Sequence, residues 1–378
     1  MSIFSEISKE YDRLGLVRVD CALERLSTSL GCHIFNLHNL TAKQYYYGGG
    51  LENFRLPVVF MAPSGYSKSQ HLNFFLNPKT GILAKTGINT SVRGTFSPEA
   101  WMGTIQNGET TGGLLHSYRI GIVGADEFMR LGNMMNNMGV NNDEVYLMKA
   151  LDGDIMTKDL SYGPIEIEDI GFTLWAGMRL CTLGLTSGMA RRFSFQIFCP
   201  TIKDSINFRQ ASRSGLMNSR ITPEAQQAVS DSITQIMERI RTIKDLDYKP
   251  INEWIDNSDY VIPHFEENLY RRIALGWAVI NDTLPILEMT PGLEKLIINE
   301  LWSRDVIRDS PEFEAVRMIL RNSNKVKEFK LMKFLEKNYQ LHKIQVEDLL
   351  NSMFRKELLA RDGEWIVLPE QIENGLDY

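Results

Sequence analysis

Apolar residues recur at spacings of three and four near the start of the chain, as in "VDCALERLSTSL" (Val19–Leu30), and the pattern stops at the breaker Gly48–Gly50. That periodicity predicts a helical lead-in over residues 1–50. From 51 to 205 the texture changes to short apolar runs: "LPVVFM" from Leu56, "RIGIVGA" from Arg119, "FTLWAGM" from Phe172 and "RFSFQIF" from Arg192. Runs of this kind, separated by helical stretches, predict a mostly parallel sheet covered on both faces, an α/β fold with an αβα core. Helical periodicity returns over 206–310. Thr222-Pro223 opens one helix there, and "HFEENLYRRIALGWAVIN" and "GLEKLIINELWSRDVI" supply two more. Residues 311–378 carry three further helical patterns and then "ARDGEWIVLP", where Asp362-Gly363 predicts a tight turn between two strands. Three helices and a hairpin predict a winged helix-turn-helix, a form that serves DNA binding and protein contact alike.

Composition narrows the picture in three places. The 378 residues, 43% of them hydrophobic, are enough for two or three domains. A formal charge of -6 gives no global positive field, so any DNA contact must come from local patches. Cys21, Cys32, Cys181 and Cys199 are scattered without metal-ligand spacing, which points to reduced thiols. The acid-bearing "MSIFSEISKEYDRLG" has no secretory character, and no apolar run approaches the roughly 20 residues that span a bilayer. The expectation is an intracellular, cytoplasmic protein with no membrane association.

Candidate chemistry begins directly behind the first apolar run. "APSGYSKS" (Ala62–Ser69) stands where a phosphate-binding loop GxxxxGK(S/T) would stand, with Ala62 and Ser67 in place of its two fixed glycines. Such a loop wraps a phosphate in backbone N–H groups, neutralises it with a lysine and holds magnesium with a hydroxyl. Pro63, Ser64, Gly65, Tyr66, Ser67, Lys68, Ser69 and Gln70 are therefore the expected ATP-binding segment, with Ala62 as its suspect position. The second half of such a site is an apolar strand ending in an acidic pair. "RIGIVGADEF" provides Asp126 to hold magnesium with Ser69, and Glu127 as general base on the attacking water. Arg191 and Arg192, ahead of the last apolar run, are candidates for an arginine finger or a plain surface pair.

Taken in order, these segments resemble the AAA+ motor domain of the minichromosome maintenance replicative helicases and their shorter viral and mobile-element relatives. That family's loop has the form GDPGxAKS, so a small residue before the lysine is its habit. "TTGGLLHSYRIGIVGADEFMRL" is similar to its run ending in IDEFDKM, and "GMARRFSF" to its LLSRFDL, which assigns the finger to Arg192. "LMKALDGDIMTKDLSYGPIEIEDIGFTLWAGM" resembles the stretch that forms a hairpin ahead of the sensor 1 strand. The likeness runs from about residue 20 to 375 and is strongest over 55–200.

What the resemblance implies is an AAA+ P-loop NTPase: an αβα core at 51–205, a helical lid at 206–310 and a C-terminal winged helix at 311–378. It implies ATP and Mg2+ as cofactors, a homo-oligomeric ring, most naturally a hexamer, and DNA and replication proteins as partners. Lys158 is the hairpin residue nearest to the family's DNA-contacting lysine, and Arg271 and Arg272 fall in the helix that carries its lid arginine. Departures are plain too. Gly177 or Met178 stands at the place of the sensor 1 asparagine, and residues 1–50 hold no counterpart of the OB-fold and zinc domain of cellular members. The expected function is an ATP-driven DNA helicase or translocase. The alternatives are a ring ATPase that remodels or recruits proteins without unwinding DNA, and a slow ATP-binding assembly platform.

Overall fold

A computed structural model describes residues 2–42, 54–94, 103–106, 109–128, 131, 142–153, 156–160, 163–185, 188, 190–214 and 220–373. Two helices, α1 (Ile3–Arg13) and α2 (Ala22–Ala42), lead into β1 (Val58–Met61), α3 (Lys68–Leu76) and β2 (Asn89–Arg93). A hairpin of β3 (Gly103–Gln106) and β4 (Glu109–Gly112) precedes α4 (Leu114–Ser117), β5 (Gly121–Ala125) and α5 (Asn142–Asp152). A second hairpin, β6 (Met156–Leu160) with β7 (Gly163–Ile167), comes before β8 (Thr173–Met178) and β9 (Ser194–Ile197). Then follow α6 (Ile202–Ser214), α7 (Pro223–Ile240), α8 (Lys249–Asn257), α9 (Glu267–Asn281) and α10 (Pro291–Asp309).

The chain is α/β. Five strands form one parallel sheet in the order β2-β5-β8-β1-β9. The fully buried runs foreseen from the sequence supply β1, β5, β8 and β9, and alternate residues on them serve opposite faces. Val58, Ile122 and Trp175 pack into a core with α2, α3 and α9, whereas Val59, Val123, Leu174 and Phe195 pack into another with α5. This three-layer arrangement is the αβα core.

The leading helices do not stand apart from the helices that follow the sheet. Residues of α1, α2, α7 and α9 share one apolar cluster. α2 crosses α9 so closely that a Cβ on Gly276 would lie 2.1 Å from the Thr28 carbonyl, and one on Gly31 would lie 2.3 Å from the Gly276 carbonyl. Only glycine fits both sides of this crossing.

A buried polar network ties α2 to β9 and α10. Arg25 of α2 and Glu300 of α10, both fully buried, pair at 2.5 Å. The Glu300 carboxylate also accepts from Ser194 Oγ (2.6 Å), from the Phe195 N–H (2.9 Å) and from Arg304 Nε (2.9 Å). Arg304 in turn pairs with Glu266 at 3.2 Å and donates to the carbonyls of Ala190 and Phe193. One carboxylate thereby joins the lead-in, the edge strand β9, the later helices and the 3-10 turn at Ala190–Arg192.

The C-terminal region has its own core. Helix α11 (Pro311–Ser323), β10 (Val326–Lys327), α12 (Glu328–Asn338) and α13 (Lys343–Arg355) are followed by β11 (Ala360–Asp362), β12 (Trp365–Val367) and the short α14 (Pro369–Glu373). Its three strands form an antiparallel sheet ordered β10-β12-β11, with Gly363 at φ 60° in the turn. Among the described residues no helix is long and apolar enough to cross a membrane.

Removing Glu300 leaves Arg25 buried without its counter-charge. Glu300→Ala is therefore expected to cost about 3–5 kcal/mol in urea denaturation; a loss below about 1 kcal/mol would show that the network does not organise the fold.

Candidate functional site

A parallel sheet sends all its strands toward one edge, and loops at the carboxyl ends meet there. The loop after β1 and the loop after β5 are both stitched to β8, the strand between them. Ala62 N–H donates to the Met178 carbonyl (3.1 Å) and Phe128 N–H to the Gly177 carbonyl (2.8 Å). Asp126 N–H donates to the Arg93 carbonyl at 2.7 Å, which ties the acidic pair to β2 as well. Lys68 and the pair Asp126-Glu127 thus line a single cavity of about 330 Å³, together with Ser64, Gly65, Tyr66, Ser67, Ser69 and Gln70. Pro63 does not line it, and offers only its carbonyl to Lys68.

The backbone of the loop carries the strain in an unexpected place. Ala62 is buried and keeps an ordinary backbone, so its Cβ costs nothing where a glycine was expected. The left-handed residues are Gly65 at φ 85° and Ser67 at φ 59°. Ser67 is held there from below. Buried His71 donates from Nδ1 to the Ser67 carbonyl (2.8 Å), the donor tautomer being required because a carbonyl only accepts. Burial pushes the His71 imidazole down to about 4, so it stays neutral, and its Nε2 lies 2.9 Å from the Tyr11 hydroxyl of α1. The Ser67 side chain makes no cap to α3; its hydroxyl donates to Gln70 Oε1 at 3.0 Å. First-turn N–H groups of α3 are thereby left to a ligand, and the helix dipole makes that place attractive to an anion.

Lys68 is 6% exposed and donates from Nζ to the carbonyls of Ala62 (2.7 Å) and Pro63 (2.9 Å). Burial lowers its ammonium to about 8, against the opposing pull of Asp126 and Glu127 and with a further push from Arg179. An incoming anion would restore the charge that burial disfavours. Two oxygens at the cavity ask for partners: among the described residues, Asp126 Oδ1 and Ser64 Oγ are buried without a hydrogen bond. A lone carboxylate oxygen in a cavity that Ser69 also lines suits a magnesium ion that takes its remaining ligands from water and phosphate. Among the described residues there is no cluster of three or more His, Cys, Asp or Glu side chains able to hold a metal unaided. Glu127, exposed and at φ 56°, stands beside Asp126 with its carboxylate free to face solvent. Gly177 lies against the pair: a Cβ there would come within 3.3 Å of Asp126 Oδ1.

Sequence reasoning missed the wall formed by α6, whose Phe208 and Ser212 also line the cavity. It missed as well a link from the loop to the C-terminal region. Tyr66 is buried edge-on against Phe198 and Phe208, and its hydroxyl donates to Asn338 Oδ1 of α12 at 2.6 Å. Tyr339 donates to the Pro200 carbonyl at 2.9 Å beside it.

The arginines lie elsewhere. Arg192 precedes β9, at the amino-terminal edge of the sheet and so opposite the cavity, where it holds Asp152 with both Nε and Nη2. Arg191 sits over the Phe265 ring at 4.3 Å. Arg271 and Arg272, the candidates for the lid arginine in ATP binding, do not line the cavity. Buried Arg272 donates to the carbonyls of Arg55 and Arg191, both at the amino-terminal edge, and Arg271 to Asn252 Oδ1 and Glu267. Burial pulls Arg272 down to about 10. Lys158 lies on β6 opposite Ile165, inside a hairpin as expected but not at its tip; its side chain falls outside the described residues. Comparison with protein-family models and with curated protein sequences returns no match.

The strain at Ser67 is open to test. Ser67→Gly is expected to raise stability by about 0.5–1 kcal/mol, since glycine meets φ 59° without the Cβ clash. Ala62→Gly should lower it, and a gain at 62 with none at 67 would reverse the assignment.

Proposed function

We propose that the protein is a magnesium-dependent ATPase of the AAA+ type, working as a ring, and that it drives translocation on DNA in the manner of the minichromosome maintenance helicases it resembles. The observation that carries the reading is the meeting of Lys68, Ser69, Asp126 and Glu127 at one cavity on the carboxyl edge of the sheet. Lys68 and the α3 amino terminus would bind the β- and γ-phosphates, and Ser69 and Asp126 would hold magnesium, which neutralises phosphate charge when bound. Glu127 would take the proton of the attacking water. Arg192 cannot serve the cavity of its own chain from the opposite edge of the sheet, which favours its acting on a neighbour's.

Further support comes from the fold. The two hairpins, β3–β4 and β6–β7, adjoin each other, as paired loops serving one channel would. The C-terminal helices with their three-stranded sheet agree with a winged helix. A second reading, an ATPase that remodels or recruits proteins, is favoured by charge. The hairpin strands and their turns carry Lys158 against Glu109, Asp159 and Glu166, a poor surface for a phosphate backbone.

ATP turnover measured with and without single-stranded DNA separates the two. The helicase reading expects DNA-stimulated turnover and salt-sensitive DNA binding. DNA-independent turnover with no such binding would leave the protein-remodelling reading. Glu127→Gln is expected to retain ATP binding while losing turnover by at least about a hundredfold; normal turnover would remove Glu127 as the base.

A further inference from the structure

The cavity has two chemically different ends. Across the sheet order β5-β8-β1-β9, the acidic pair follows β5, the Lys68 loop follows β1, and α6 with Phe208 follows β9. Three strand spacings, about 14 Å, separate β5 from β9. An ion-binding end, a phosphate-binding middle and an aromatic end thus lie in one line, in the order of metal, phosphates and base along an extended nucleoside triphosphate.

We infer that Phe208 is the platform for the nucleobase, a role that rests on the reading of the loop as a phosphate site. Phe208 lines the cavity with part of its ring exposed, while the edge of buried Tyr66 braces it at 5.2 Å between ring centres. Tyr66 itself belongs to a small apolar cluster with Val19, Ala22, Phe60 and Ala62, set apart from the larger cores and lying beneath this end of the cavity. The brace is rigid because the Tyr66 hydroxyl is anchored on Asn338. A π-face supported in this way accepts any base by stacking. Phe208 rests on that cluster beside Phe198, and because α6 contains no fully buried residue the rest of its ring is left to the cavity.

The test uses the full chain and two ligands titrated calorimetrically with magnesium, ATP and inorganic tripolyphosphate, which shares the phosphates and lacks the base. Wild type is expected to bind ATP at least about tenfold more tightly than tripolyphosphate, the scale of one base–aromatic stack. In Phe208→Ala that advantage should shrink to within about twofold, with tripolyphosphate affinity unchanged, whereas Phe208→Trp should keep it. An ATP advantage of wild-type size in Phe208→Ala, or none in wild type, would overturn the platform while leaving the phosphate site standing. Binding of neither ligand to wild type would overturn both.

Discussion

The carboxylate of Glu300 is the point on which the rest of the molecule hangs. Fully buried, it is neutralised by Arg25 from the amino-terminal helix and Arg304 from its own, and it accepts the Phe195 N–H of the edge strand. A charge in that position is tolerable only because every partner is in place. The network therefore fixes three things together: how α2 lies on the sheet, where β9 ends the sheet, and how the turn before β9 is held through Arg304. Because α2 meets α9 across a glycine-only crossing, the lead-in and the later helices form one body on one face of the sheet.

From that frame the parallel sheet separates two kinds of chemistry. Its carboxyl edge gathers the Lys68 loop, the acidic pair and the α6 wall; its amino edge displays Arg191 and Arg192. The loop is not an isolated strap. Tyr11 of the lead-in supports Ser67 through His71 of α3, and Tyr66 bonds Asn338 in the C-terminal region. The loop is thereby bonded to the lead-in on one side and to the C-terminal region on the other.

Much of the core was legible because its strands are short, apolar and buried on both faces: "VVFM", "GIVGA", "TLWAGM" and "SFQI" announce themselves. The polar β2, "NTSVR", did not, since an edge strand needs no apolar run, and β3–β4, "GTIQ" and "ETTG", has one large apolar residue, Ile105. Lys68, Ser69, Asp126 and Glu127 could be read from their spacing behind buried strands. Whether Ala62 or Ser67 bears the strain could not, because it depends on a backbone angle rather than a residue type. Phe208 was hidden for another reason: an amphipathic signal is absent from a helix that buries nothing. The helix of Arg271 and Arg272 could be recognised from its periodicity, but the sheet edge it packs against could not.

The central claim of the proposed mechanism is that a site assembled at one edge of the sheet in one chain is completed by Arg192 from the opposite edge of another. Mixing two inactive variants tests it most directly. Lys68→Ala removes the phosphate lysine and Arg192→Ala the finger, so neither protein alone should turn over ATP. When they are mixed, an intact cavity can meet an intact arginine, and the account predicts that turnover returns to about a quarter of the wild-type rate per chain by random pairing across interfaces. An Arg192→Ala protein that is fully active by itself, or a mixture that stays inactive although its subunits exchange, would contradict it.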